Sequence, residues 1–313
     1  MLDLQRIRTE PDAVRRAIQQ KGMGDGSLVD RILEIDVRRR EAVTALQEAQ
    51  TRSNAASRAI GTLMREGRKD EAQVHIQESA RLKAEMKELE ERVPALEEEQ
   101  QRLLLEVPNI PHPSVPVGRT PDDNVVVAER GEKPSFDFDP QPHWELCERH
   151  GLVDFERGAK VAGAGFPFYV GPGARLQRAL INFFLDLAVN EGGYVEMQPP
   201  VVVNADSATG TGQLPDKEDL MYEAARDGLY LVPTAEVPVT NYLRDEILAE
   251  ADLPIKYCAY TPCFRREAGS YGKDVRGLNR LHQFDKVELV RFVHPDTSYD
   301  ALVEMREDAE RAL

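Results

Sequence analysis

The sequence has few cysteines, no long apolar run and a shortage of positive charge. Its three cysteines, Cys147, Cys258 and Cys263, are too few for a disulfide framework, so we predict a reducing, cytoplasmic environment. No Cys or His pair lies close enough to Cys258 and Cys263 to complete a zinc site. No segment approaches the ~18 consecutive apolar residues of a membrane span. The charged N-terminus MLDLQRIRTEPDAVRRAI lacks the apolar core of a signal peptide.

The charge balance is acidic, with 55 Asp and Glu residues against 40 Lys and Arg residues and a net charge of −15. Non-specific nucleic-acid binding relies on a surplus of Lys and Arg, so this composition argues against it. A nucleic-acid role would therefore depend on where individual arginines lie. A hydrophobic content of 41% with 30% charged residues is typical of a globular protein, and 313 residues suffice for two domains or for one core with an appendage.

Two heptad patterns dominate the N-terminal third of the chain. Apolar and small residues recur in alternating steps of four and three through residues 28–63 and again through 72–103. The short segment between them contains Gly67, which favours an antiparallel hairpin of two helices, each roughly 50 Å long at ~1.5 Å per residue. An intermolecular coiled coil is the alternative interpretation. Pro94 falls inside the second pattern and predicts a bend there.

Composition divides the chain into two domains joined by a linker. Four prolines within residues 108–116 support neither a helix nor a central strand. Beyond them, short β-branched runs that predict strands, the first of them NVVVAER at residues 124–130, alternate irregularly with helical segments, without the regular βαβ order of a parallel sheet. We therefore predict an α+β protein with an N-terminal domain over residues 1–107, a helical arm within it over about 28–104, a linker over 108–124 and an antiparallel-sheet domain over 125–313.

One segment, YTPCFRREAGSYGKDVRGLNRLHQFDKVEL, predicts a strand, a long basic loop and a returning strand. The loop between the two strands holds five cations, more than a chain reversal needs: Arg265, Arg266, Lys273, Arg276 and Arg280. Its glycines allow a ligand to approach the backbone closely: Gly269, Gly272 and Gly277. Arginine suits bidentate contact with phosphate or carboxylate, Phe284 offers an aromatic face, and Glu267 and Glu288 accept an amine or a metal. The pattern predicts a site for a phosphate-rich ligand with a planar base, and a solvated charged loop is the alternative.

This segment resembles motif 2 of the class II aminoacyl-tRNA synthetases, in particular that of the seryl-tRNA synthetases. GYVEMQPPVVV resembles motif 1, the dimer motif, with Pro200 at the position of its proline. GTGQLP at 210–215 and TAE at 234–236 are typical of the seryl enzymes, and the start MLDLQRIR and the two-helix arm complete the similarity. The resemblance covers essentially the whole chain. It implies a class II catalytic domain, with an antiparallel sheet flanked by helices, behind a tRNA-binding arm.

The resemblance also implies roles for individual residues. Arg265 stands at the position of the catalytic arginine that binds the α-phosphate of ATP and the amino-acid carboxylate. The implied ATP-binding residues are Arg265, Arg266, Glu267, Arg280, Leu281 and Phe284. The implied serine-binding residues are Thr234, Ala235, Glu236, Arg265 and Glu288. The implied tRNA-binding residues of the arm are Arg38, Arg39, Arg52, Arg58, Arg65, Arg68 and Lys69.

By the same resemblance the protein would be a homodimeric serine–tRNA ligase. It would activate L-serine with ATP and Mg²⁺ to seryl-adenylate, release pyrophosphate, and transfer serine to tRNA(Ser) and to tRNA(Sec). The family has a third, Gly-rich motif with a second ATP-binding arginine and a metal-ligating carboxylate, which these residues do not contain. We therefore expect a C-terminally incomplete catalytic domain, no metal ligand, and little or no seryl-adenylate from the 313 residues alone.

Two other functions fit parts of the sequence. A synthetase-like ligase that loads a carrier protein would share the catalytic motifs, although such relatives lack the long arm. A non-catalytic paralogue that binds tRNA would share the arm, although motif 2 and TAE are intact here.

Overall fold

The computed structural model describes residues 2–216, 219–267 and 276–313. The chain forms two compact units, Met1–Gly131 and Glu132–Leu313. Within the described ranges, no helix combines the length and the apolar character needed to cross a bilayer.

The first unit is helical. It contains α1 (Leu4–Thr9), α2 (Pro11–Gln20), α3 (Ser27–Arg65) and α4 (Lys69–Glu106). Asp3 caps α1 by accepting a hydrogen bond from the backbone N–H of Gln5, and Pro11 begins α2, where its missing N–H costs nothing. Two short helices therefore precede the arm.

The arm is an intramolecular hairpin of α3 and α4, as the heptads predicted. The helices have 39 and 38 residues and a three-residue turn between them, so each spans roughly 58 Å at ~1.5 Å per residue. Side chains at the predicted seam positions are buried between the helices, among them Ala49, Ser53, Ser79 and Leu82. Small residues at these positions allow the two backbones to approach closely. α4 continues through Pro94, which is therefore not a helix end.

A larger apolar core lies at the base of the arm, where α1 and α2 pack on α3 and α4. Ile7, Val14 and Ile18 from the short helices contact Ile32 and Leu103 from the long ones. These side chains are almost fully buried, and burying one of them contributes roughly 1.5–3 kcal/mol. The base of the arm is thus better packed than the arm itself.

The predicted strand NVVVAER, residues 124–130, forms no strand, although the structure describes all of these residues. Val125, Val126 and Val127 are exposed, with 90% of Val127 accessible. β-branched residues favour a strand only where a second strand completes the hydrogen-bond ladder. Here the preceding 3₁₀ turn, Pro121–Asp123, is the only regular element between residues 108 and 142.

The second unit combines helices with short sheets. Its helices are α5 (His143–Arg149), α6 (Phe155–Ala162), α7 (Pro172–Asn190), α8 (Ala205–Gly210), α9 (Glu236–Asn241) and α10 (Ser298–Glu310). Its strands are β1 (Val153–Asp154), β2 (Phe168–Tyr169), β3 (Val195–Met197), β4 (Val202–Asn204), β5 (Glu223–Ala224), β6 (Leu229–Leu231), β7 (Ile255–Phe264) and β8 (Gln283–Phe292).

The longest sheet has the order β3–β7–β8, with α7 packed against it. β7 and β8 pair antiparallel over ten residues each, and β3 joins β7 in parallel. A second sheet, β4–β6–β5, and the pair β1–β2 are antiparallel. The α+β class, the arm and the predominantly antiparallel sheet are confirmed, and the parallel β3–β7 pair adds to the prediction.

Candidate active site

The β7–β8 hairpin supplies the platform of the candidate site. Its register places Phe284 opposite Cys263 and Glu288 opposite Ala259. Alternate residues of a strand point to the same face, so Phe284, Lys286 and Glu288 share one face of β8. The opposite face of the hairpin packs towards α7.

Thr234 and Ala235, which precede α9, and Glu236, the first residue of α9, approach Glu288. The Thr234 hydroxyl donates a hydrogen bond of 2.7 Å to Oε2 of Glu288, although the two residues are 54 positions apart. The backbone N–H of Glu236 donates to the Thr234 hydroxyl oxygen at 3.2 Å. Thr234 is 4% exposed and Ala235 is fully buried, so both side chains are enclosed by the protein.

The carboxylate of Glu236 stands at the solvent-accessible rim of this corner. The surrounding protein displaces water from it and the nearby Glu288 carboxylate repels its charge, so the pKa of Glu236 is raised. The ammonium group of Lys286 opposes this shift. A ligand cation placed beside the two carboxylates would have the same effect as the lysine.

Arg265 follows β7 and lies over Phe284, with its guanidinium carbon 5.1 Å from the ring centre. Its backbone N–H donates to the carbonyl oxygen of His282 at 2.9 Å, which ties the start of the loop to its return. Among the described residues, no carboxylate forms an ion pair with Arg265. The half-buried guanidinium of Arg265 stacks on the Phe284 ring and has no ion-pair partner in the described part of the chain. It is therefore well placed to bind a ligand anion.

The other predicted loop arginines already have carboxylate partners. Arg266 pairs with Asp219 at 3.2 Å, and Arg280 pairs with Glu267 at 2.5 Å. Glu267 adopts a left-handed backbone conformation with φ of 50°, which is costly for a residue other than glycine. A ligand phosphate would compete with these carboxylates for the two arginines.

A cavity of about 1090 Å³ adjoins the loop and is lined by Arg266, Glu267, Arg280 and Leu281. Its opposite wall comes from residues 144–170. Gly269, Gly272 and Lys273, which the sequence also placed in the loop, lie outside the described residues. Arg265 and Phe284 do not line this cavity, and neither do Thr234, Glu236 and Glu288. The structure therefore divides the predicted residues into a group along the cavity and a group along β8.

Sequence reasoning missed an aromatic group behind the loop. His282 shares a hydrogen bond of 2.7 Å between Nδ1 and the Tyr222 hydroxyl and stacks on Phe166 at 5.3 Å. Arg276 lies 4.8 Å from the ring of Trp144. His282 stands within the quoted motif and could have been noted there, whereas nothing in the local sequence marks Trp144.

The structure divides the predicted tRNA-binding residues of the arm by their partners. Arg39 pairs with Glu97, Arg52 with Glu78, and Arg68 with Glu66 and Glu71. Arg65 donates to the carbonyl oxygen of Gly61 at 3.0 Å. Arg38, Arg58 and Lys69 are exposed and form no ion pair with any other residue that the structure describes.

Pro200, the predicted proline of the dimer motif, is exposed between β3 and β4. Val195 and Val202 in these two strands are also exposed. This edge of the second unit therefore presents apolar side chains to solvent.

Comparison with known proteins gives a consistent result for both units. Residues 1–111 match the model of the seryl-tRNA synthetase N-terminal domain, and residues 221–313 match the class II tRNA synthetase core domain for G, H, P, S and T. The chain is 63% identical over 313 residues to the serine–tRNA ligase of Salinibacter ruber and 50% identical over 315 residues to that of Geobacter sulfurreducens. It covers 73% of the length of each.

The fold is also similar to that of a solved structure, the seryl-tRNA synthetase from Pyrococcus horikoshii complexed with ATP. The TM-score is 0.87 at 32% sequence identity, over 99% of this chain and 74% of that one.

Proposed function

The chain belongs to the seryl-tRNA synthetase family, and on this premise we propose that the protein activates L-serine with ATP and attaches it to tRNA. The observation that carries the proposal is the arrangement along one face of the β7–β8 hairpin. An arginine over an aromatic ring lies at one end, and a threonine bonded to a carboxylate lies at the other. The arginine and the ring suit the phosphate and the base of a nucleotide. The threonine and the carboxylate suit the ammonium and the hydroxyl of serine.

In the proposed first step, a carboxylate oxygen of serine attacks the α-phosphorus of ATP. The bond from that phosphorus to the bridging oxygen breaks, and pyrophosphate leaves. Arg265 would contact the serine carboxylate and the α-phosphate and stabilise the charge that develops between them. Phe284 would provide the stacking surface for adenine. Because the step needs no proton from the protein, positioning and electrostatics supply the catalysis.

The remaining ATP contacts are proposed for Arg266, Glu267, Arg280 and Leu281. Arg280, whose side chain is 49% exposed, would exchange its pair with Glu267 for a charge-assisted contact with a terminal phosphate. Leu281 is 5% exposed and would form part of the floor beside the base. The cavity along these residues is large enough for a nucleotide.

Serine would be held by Thr234, Ala235, Glu236 and Glu288. The Glu288 carboxylate would receive the α-ammonium or the side-chain hydroxyl, and the buried methyl of Ala235 would limit the size of the substrate side chain. A site whose polar groups bond a substrate hydroxyl discriminates strongly against the analogue that lacks it. Alanine should therefore be a poor substrate.

Magnesium fits the proposal as a companion of ATP. No group of three or more His, Cys, Asp or Glu side chains that could hold a metal occurs in the part of the chain that the structure describes. Mg²⁺ usually retains waters and binds substrate phosphates, where it neutralises their charge.

In the proposed second step, a hydroxyl of the 3′-terminal adenosine of tRNA attacks the carbonyl carbon of the adenylate, and AMP leaves. The partners would be tRNA(Ser) and tRNA(Sec). The proposed tRNA-binding domain is residues 1–107, the linker 108–124 and the catalytic domain 125–313. The arm favours this reading over a ligase for carrier proteins, which would have no use for it.

The first experiment is serine-dependent ATP–pyrophosphate exchange by the protein at its native length. Exchange that requires serine and is weak with alanine or threonine supports the proposal. Loss of serine dependence, or exchange with every amino acid alike, contradicts it. Tight tRNA binding without any exchange would instead favour a non-catalytic tRNA-binding paralogue. Serine charging of tRNA(Sec) transcript tests the second partner.

The arm arginines are tested through the salt dependence of tRNA(Ser) binding. Arg58→Gln is expected to weaken binding. It should also reduce the magnitude of the slope of log K against log salt concentration by about one, the value for one lost phosphate contact. Arg52→Gln is the matched control, because Arg52 already pairs with Glu78 and gains less from a phosphate. An equal effect of the two substitutions would contradict the division into paired and unpaired arginines.

We further propose a cytoplasmic homodimer that uses the exposed edge around Pro200. The exposed Val195 and Val202 support a partner at this edge. Sedimentation equilibrium should give twice the mass of one chain. Val195→Glu is expected to shift the equilibrium to the monomer, and a monomeric wild-type protein would contradict the proposal.

A further inference from the structure

Lys286 lies in the middle of the candidate site and was not among the residues that the sequence implied. It stands on β8 between Phe284 and Glu288, on the face that both share. Its side chain is 33% exposed, so it borders solvent without extending freely into it. The strand therefore presents a ring, an ammonium group and a carboxylate in succession.

The contacts of Lys286 fix the orientation of Glu288. The Lys286 ammonium group forms an ion pair with Oε2 of Glu288, the same oxygen that accepts the hydrogen bond from Thr234. Oε1 of Glu288 has no partner among the described residues. Two donors on one oxygen hold the carboxylate plane and leave the other oxygen available for a ligand.

Lys286 also sets the charge of the site. Glu236 and Glu288 contribute two negative charges, and Lys286 and Arg265 contribute two positive charges. The Lys286 charge opposes the rise in the pKa of Glu236. It also opposes the rise that burial causes in the pKa of the Cys263 thiol. A neutral site suits a zwitterion, whereas a site without the lysine would carry a net negative charge and favour a cation.

We propose that Lys286 is a specificity-determining positioning residue. It holds Oε2 of Glu288 and balances the two carboxylates, so that the site selects a zwitterionic amino acid over a cationic amine that carries the same hydroxyl. The inference rests on the proposed function, in which this corner binds serine. Ethanolamine is the matching probe, because it is serine without the carboxylate.

The test compares serine and ethanolamine in native-length protein that carries Lys286→Met. The quantities measured are KM for serine in ATP–pyrophosphate exchange and Ki for ethanolamine as a competitor. Removing a unit charge a few ångströms from the ligand should lower Ki for ethanolamine about tenfold relative to KM for serine. Lys286→Arg keeps the charge and should leave the ratio near that of wild type. Lys256→Met, on the opposite face of the hairpin, should not change it.

The possible outcomes separate this inference from the function on which it rests. An unchanged ratio overturns the inference. If the Lys286→Met variant binds serine and ethanolamine more weakly by the same factor, the role of Lys286 is only structural. If the variant has no exchange activity, calorimetric titration measures the dissociation constants of both ligands, and their ratio is compared with that of wild type. Wild-type protein without serine-dependent exchange refutes the proposed function itself.

Discussion

Replacing Asp36 by asparagine is expected to loosen the base of the arm. Asp36 is 1% exposed, yet its carboxylate is charged and fully partnered. Arg8 donates to it twice, at 2.9 Å to Oδ2 and at 2.6 Å to Oδ1. Arg40 donates at 3.1 Å and Gln100 at 3.3 Å. The carboxylate therefore joins α1, α3 and α4 at one point.

The magnitude follows from the exposure of the partners. Removing one side of a buried ion pair typically costs about 3–5 kcal/mol, because the remaining charge is left unpaired. The side chains of Arg8 and Arg40 are 33% and 56% exposed, so water compensates part of this loss. We expect Asp36→Asn to reduce the local stability of the base by about 2–4 kcal/mol.

Hydrogen exchange measured by mass spectrometry is the suitable assay, because it reports the opening free energy of α1 and of the start of α3 within the whole protein. Asp30→Asn is the matched control. Asp30 also lies in α3 and pairs with Arg15, but its side chain is 64% exposed, so its loss should cost less than about 1 kcal/mol. Equal protection losses in the two variants would refute the reasoning.

The pH dependence supplies a second check on the same residue. Burial acts to raise the pKa of Asp36, but the hydrogen bonds from Arg8 and Gln100 and the charges of Arg8 and Arg40 outweigh it and hold the pKa below its usual value. Because the folded pKa is depressed, the stabilisation is present above the unfolded pKa of about 3.9 and is lost as pH falls through the folded value. The difference between wild type and Asp36→Asn should therefore vanish in strong acid.

Three further substitutions test the catalytic unit. Arg265→Lys should lower kcat/KM for serine-dependent exchange by roughly 10²–10³, because an ammonium group cannot replace the planar guanidinium at a developing charge. Thr234→Val should raise KM for serine by roughly tenfold, since Oε2 of Glu288 loses its buried hydroxyl donor, a loss of about 1–2 kcal/mol. Gly165→Ala should lower thermal stability and exchange activity together, because the new methyl carbon would lie 2.4 Å from Cδ2 of His282.

Each of these substitutions has a control in the same unit. Arg244→Lys alters an exposed arginine that is not among the candidate site residues and should leave exchange unchanged. Thr234→Ser keeps the hydroxyl and should restore most of the affinity for serine. Gly163→Ala shares the positive φ of Gly165 but meets no atom within 4 Å, so it isolates the backbone strain, worth roughly 1–2 kcal/mol, from the steric clash. If a control variant shows the same loss as the substitution it accompanies, the physical explanation given for that substitution is wrong.

Sequence alone was sufficient for the parts of the fold that depend on local periodicity. The heptads of residues 28–63 and 72–103 predict two helices and their buried faces, because a 3.5-residue repeat places the same face towards the partner at each turn. The short turn between them selects the intramolecular hairpin. The cluster of four prolines in residues 108–116 likewise predicts a segment without helix or central strand, and these residues form neither.

Sequence motifs also predicted the residues of the candidate site, but as separate segments. The hydrogen bond between Thr234 and Glu288 and the stacking of Arg265 on Phe284 depend on the register of β7 with β8, which no local pattern specifies. The strand predicted at residues 124–130 was wrong for the same reason, because a strand needs a partner that its own residues do not encode.

Tertiary structure alone decided which charges are free and which are paired. Arg52 and Arg58 look alike in the sequence, yet only Arg52 finds a carboxylate across the hairpin within the described residues. Lys286 looks like an ordinary strand residue, yet it holds the carboxylate of Glu288 in the centre of the site. The energy of a charge depends on its distance to other charges and to water, and the fold sets both distances.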